Sequence, residues 1–132
     1  MLIEIESFRE CSWCPFPVAQ VQTPVGETAV PWRGAPDASL GRHHVEWTIE
    51  TEISWGVNAK PTAEPGPAIL PGSHCVILRG RLHLLPDGAG VLDLDGSMIL
   101  LDFAEPAPRE VNGTWVQLHV PHADIGLYPY EL

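Results

Sequence analysis

Cys11-Ser12-Trp13-Cys14 places two metal- or redox-competent thiols three residues apart. A Cys-x-x-Cys pair supports two kinds of chemistry. At a helix N-terminus it exchanges disulfides, because the helix end lowers the pKa of the attacking thiol. Here Pro17 follows too soon after Pro15 for a regular first helical turn, so redox catalysis is disfavoured. In a loop the pair is half of a zinc knuckle. Cys75 and one of His74, His43 or His44 would close a tetrahedron, which makes Cys11, Cys14, His74 and Cys75 the candidate metal ligands. Zinc is the one cofactor the sequence nominates. The plainer expectation is no cofactor, with reduced cysteines in a loop or in the core.

Two further groups alternate with apolar residues. Arg79, Arg81, Trp115, Gln117 and His119 fall on the polar phase of their segments and form a candidate ligand-binding surface. Tryptophan would stack on a base, sugar or side chain, and the arginines would hold an anion. The competing reading pairs Arg81 and His83 with Asp95 and Asp93 across a hairpin. His44, Glu46, Glu50 and Glu52 share another face, suited to a divalent cation or to acid–base chemistry. Alternate strand residues stand about 6.6–7 Å apart, loose for one metal, so a solvated face that discourages edge pairing is the simpler reading. No serine sits in a Gly-x-Ser-x-Gly elbow, and there is no phosphate loop.

Charge narrows the partners. The 132 residues include 17 acidic and 7 basic ones, for a net −10. Residues 1–66 hold nine acidic and four basic side chains, and residues 67–132 hold eight and three, so each half carries −5. With a single lysine and scattered arginines, neutralising a phosphate backbone is disfavoured. A basic protein partner or a second copy fits the charge and the five tryptophans better than nucleic acid does. The opening Met1-Leu2-Ile3-Glu4-Ile5-Glu6 carries carboxylates where a signal peptide would be basic, no run of about 18 apolar residues exists, and the expected location is cytoplasmic, away from membranes.

The elements that must position these residues read as strands. Residues 2–8 alternate. Residues 9–41 are dense in proline and predict a long irregular segment, with short strands at Pro17–Gln22 and Glu27–Trp32. Residues 44–55 alternate over their whole length and predict one long strand with Val45, Trp47, Ile49, Thr51, Ile53 and Trp55 on a shared face. From Cys75 a meander begins, with Val76, Leu78, Gly80, Leu82 and Leu84 inward. Pro86–Gly90 predicts a five-residue turn that sets Leu85 opposite Val91, His83 opposite Asp93 and Arg81 opposite Asp95. Strands follow at Met98–Phe103, Thr114–Val120 and Ile125–Leu132, where Pro129 is tolerated only at an edge or near the end.

Val76-Ile77-Leu78-Arg79-Gly80-Arg81-Leu82, followed by Gly90-Val91-Leu92-Asp93-Leu94-Asp95-Gly96, resembles the opening of OB-fold barrel domains. The likeness spans residues 75–132 and implies a small barrel binding single-stranded nucleic acid or another small anionic ligand. The sequence as a whole predicts an all-β class: a small antiparallel barrel or sandwich, OB-like, with a long irregular Pro-rich N-terminal segment. It is expected to be one domain over 1–132, with 1–43 as strand plus irregular segment and 44–132 as the barrel core. The function expected is a non-enzymatic binding or interaction module with an acidic surface, working through a protein partner or self-association. An OB-like ligand binder and a small zinc protein are the alternatives.

Overall fold

The computed structural model describes residues 1–12 and 15–130. Among them, eleven strands form two antiparallel sheets, with short 3-10 turns at Arg109–Val111 and His122–Asp124. The first sheet holds β1 (Leu2–Arg9), β2 (Val18–Thr23), β3 (Gly26–Pro31), β4 (Gly41–Ile49) and β11 (Ile125–Pro129), in the order β11-β4-β1-β2-β3. It curls until its edges touch: Trp32 bridges Leu127 in parallel, and the Arg33 N–H donates to the Leu127 carbonyl at 2.8 Å. The second sheet holds β5 (Ala59–Pro61), β6 (Ala68–Pro71), β7 (Cys75–Leu84), β8 (Gly90–Leu94), β9 (Ser97–Leu101) and β10 (Trp115–Pro121). Its order is β5-β10-β7-β8-β9, with β6 also on β7.

Alternation decides what is buried. Val76, Leu78 and Leu82 of β7, Leu92 and Leu94 of β8, Ile99 and Leu101 of β9, and Val116, Leu118 and Val120 of β10 are all inside. They meet Ile3, Ile5, Val21, Val30, Trp32, Val45 and Trp47 from the other sheet in one apolar cluster. Fully burying each large aliphatic side chain contributes roughly 1.5–3 kcal/mol. Gly80 allows the sheet to close here, since a side chain on it would meet the Asp93 carbonyl oxygen at 2.6 Å.

Several expectations change. The N-terminal third is not a long irregular segment: the two short strands expected within it are there as β2 and β3, paired over residues 18–31 in a hairpin that joins β1 through a ladder with a bulge between Ile5 and Ser7. Its prolines punctuate the strands instead of breaking them. Pro17 precedes β2, Pro24 lies in the turn, and Pro31 ends β3. In that turn the Thr23 hydroxyl donates to the Gly26 carbonyl at 2.6 Å. The strand predicted over 44–55 stops at Ile49. The chain then crosses between sheets, and Ile53 bridges Phe103 in parallel. Val45, Trp47 and Ile53 still share the core, because the crossing keeps the apolar phase.

The β7–β8 pairing is displaced by two residues from the one expected. Leu84 faces Gly90, His83 faces Val91, and Arg81 faces Asp93. The loop is tighter than five residues: the Leu85 N–H donates to the Ala89 carbonyl at 2.8 Å, and Gly88 takes φ +93°. A three-residue turn closing on a left-handed glycine explains the shift. β11 ends at Pro129, the last residue of the strand, where a proline is tolerated, and residues 131 and 132 lie outside the described residues. Residues 75–130 are divided between the two sheets, so they do not close a barrel by themselves. Among the described residues no helix is long and apolar enough to cross a membrane.

Candidate functional site

The outer face of the second sheet gathers most of the exposed chemistry. Strand registers place Trp115 opposite Arg81, Arg81 opposite Asp93, and Asp93 opposite Met98. One row therefore crosses β10, β7, β8 and β9. A second row runs His83, Val91, Leu100. Even positions of β9 point outward because Ile99 and Leu101 point in, and Met98 and Leu100 are 60% and 62% exposed. They are the two large apolar side chains of one strand that stand mostly in water. Carboxylates flank them at Asp93, Asp95 and Asp102. Beside them a depression of about 260 Å³ is lined by Pro67, Arg81, Asp93, Asp95, Gly96 and Trp115.

The predicted ligand-binding residues share this face but are largely engaged with each other. The Arg81 guanidinium lies 5.2 Å from the Trp115 ring centre. Arg79 donates to the Gly66 carbonyl at 3.0 Å and pairs with Glu64 at 2.7 Å. Gln117 and His119 contact one another at 3.1 Å. Arg81 does not meet Asp95 as predicted, because the shifted register brings Asp93 to it instead. Sequence reading missed Met98 and Leu100. The signal was present: Met98-Ile99-Leu100-Leu101 is apolar on both phases, which a strand with one wet side does not need.

The predicted metal residues converge elsewhere. A cavity of about 560 Å³ opens between the sheets, lined by the end of β1, the β2–β3 hairpin, the β6–β7 turn and His122. Cys11, His74 and Cys75 all line it, although they come from distant parts of the chain; Cys14 lies outside the described residues. Cys75 is a free thiol and Cys11 is disulfide-bonded. No group of three metal-competent side chains among the described residues is arranged to hold an ion. The β6–β7 turn closes with the Gly72 N–H donating to the Cys75 carbonyl at 3.1 Å. His74 takes φ +56° there, the left-handed conformation a tight turn demands. Gly72 is required because a side chain on it would run into the Cys75 sulfur.

His122 was not foreseen, since nothing in Pro121-His122-Ala123 marks it in sequence. It is 7% exposed, and the His122 N–H donates to the His74 carbonyl at 3.0 Å. Its pKa is held below the usual 6.5, first by burial and then by the charges of Arg9 and His74; bonds to the backbone of Cys75 and Ala29 act in the opposite direction. On the β4 face, Glu50 is tied to Arg33 at 3.1 Å, so that acidic stripe is in part an ion pair.

No protein-family model, curated protein or solved structure matches the chain.

Proposed function

We propose that the chain is a protein-interaction module whose outer β7–β10 face receives a basic, partly apolar segment of another protein. The observation that carries this reading is the cross-strand row Trp115, Arg81, Asp93, Met98, continued by the exposed Leu100. Tryptophan, arginine and methionine are the residue types enriched at protein interfaces, and here they occupy neighbouring positions on one face. Scattered exposed apolar residues need no explanation, but two on one strand face beside an aromatic–cation stack do. Charge selects the partner. The face lies among Asp93, Asp95 and Asp102 on a chain of net −10, so a lysine- or arginine-bearing segment is attracted and a second copy is repelled. Arg79 is already committed to Glu64 and Gly66, which leaves little cationic surface for a phosphate chain.

The test is calorimetric titration with a synthetic peptide of leucine and phenylalanine flanked by lysines, against a twin flanked by glutamates. The lysine peptide is expected to bind saturably, the glutamate twin not at all, and Met98→Lys to weaken binding about tenfold or more. Equal binding of both peptides, no binding of either, or a dimer broken by Met98→Lys would each overturn the reading.

A further inference from the structure

We propose that the cavity between the β1 end, the β2–β3 hairpin, the β6–β7 turn and His122 binds a small organic anion, a carboxylate or phosphate head on a short apolar body. Among the described residues, two polar side chains are buried, Thr28 at 1% exposure and His122 at 7%, and both line this cavity. Burying polar groups costs free energy unless they are well bonded. Thr28 is poorly satisfied: its hydroxyl reaches the neighbouring Ala29 carbonyl at only 3.5 Å, the limit of a hydrogen bond. An anionic ligand supplies a better acceptor.

The charges agree. Arg9, His74 and His122 all line the cavity, on a chain with seven basic residues and six histidines overall. A guanidinium and two imidazole donors gathered on one concavity of an acidic protein, with Glu10 the one carboxylate in the lining, are suited to hold an anion among them. The walls give the rest of the ligand its character. Val18, Ala29 and Pro71 are apolar, and about 560 Å³ exceeds what a bare ion needs, so the site has room for a body behind the head group.

The experiment titrates the full chain with hexanoate, hexyl phosphate, inorganic phosphate and the neutral hexanamide, read by calorimetry and by the imidazole resonances of His74 and His122. Hexanoate or hexyl phosphate is expected to bind saturably, hexanamide is not, and comparing the two acids identifies the head group. Arg9→Ala should weaken binding about tenfold, and so should Thr28→Val, which keeps the buried shape. Arg9 is exposed, so the first variant folds even where the second does not. Binding of hexanamide as strong as of hexanoate, silence with every anion, affinities indifferent to Arg9→Ala, or an equivalent of zinc found in the purified protein would overturn the proposal.

Discussion

Asp93 stands directly opposite Met98 on the β8–β9 ladder, so a carboxylate and an exposed thioether share the rim of one sheet face. On its other side Asp93 faces Arg81, which lies over Trp115. The row thus offers charge, a polarizable apolar surface and an aromatic ring within four adjacent strands. That juxtaposition gives the proposed partner its two properties, basic charge and an apolar anchor.

Met98→Lys and Leu100→Lys should separate binding from folding. Both side chains are mostly in water, so each change should move stability by no more than about 0.5 kcal/mol. Either should remove most of the affinity for the lysine-flanked peptide. Urea denaturation and calorimetry on the same samples check both halves, and a variant that loses stability together with affinity contradicts the assignment.

Salt should act in one direction. The contacts expected from Asp93 and Asp95 are at the surface, worth about 0.2–1 kcal/mol each and screened by ions. Asp95→Asn should weaken peptide binding about twofold to fivefold at low ionic strength, with the difference vanishing at high salt. Binding that strengthens with added salt points to self-association of acidic chains instead.

Gly26 should tolerate no side chain. Its φ of +143° disfavours any other residue, and a Cβ would collide with the Ile69 carbonyl oxygen where β3 passes β6. Gly26→Ala should cost about 2 kcal/mol or more. Gly56, at φ +80° with nothing near, should cost only about 1 kcal/mol on the same change. Thermal denaturation of the two variants gives the comparison, and equal losses would show that the β3–β6 approach does not matter.

His122 should make stability sensitive to mild acid. Its folded pKa lies below 6.5, so the unfolded chain takes up its proton first as pH falls. The stabilising contribution is complete above about pH 6.5 and is lost as pH drops from there through the lowered folded pKa. The midpoint of urea unfolding should therefore fall more steeply below about pH 6.5 in the wild type than in His122→Gln. Parallel curves for the two proteins would dismiss the assignment.

Much of the scaffold was legible because period-two alternation survives wherever one strand face is dry. Val76 to Leu84, Val116 to Val120 and Ile3 to Ile5 all point as their spacing requires. Pro129 at the end of its strand was legible for the same kind of reason, since it has no N–H to give a ladder. Turn geometry was harder. Two residues of difference in the loop after Leu84 moved Arg81 from Asp95 to Asp93, and although short strands at 17–22 and 27–32 were legible, the proline count obscured how fully they pair. Of the candidate sites, the gathering of Cys11, His74 and Cys75 could only be guessed from residue type. Their neighbours Thr28 and His122 carry no sequence mark, because what singles them out is burial, a property of the assembled sheets.

The most direct test of the interaction face is a titration of the lysine-flanked peptide followed by the methyl resonances of Met98, Leu100 and Val91 together with the indole N–H of Trp115. The account predicts that these four signals shift together and saturate with one affinity, while the methyls of buried Leu78 and Leu118 stay still. Saturable shifts that spare Met98 and Leu100 and fall on other parts of the surface would contradict it.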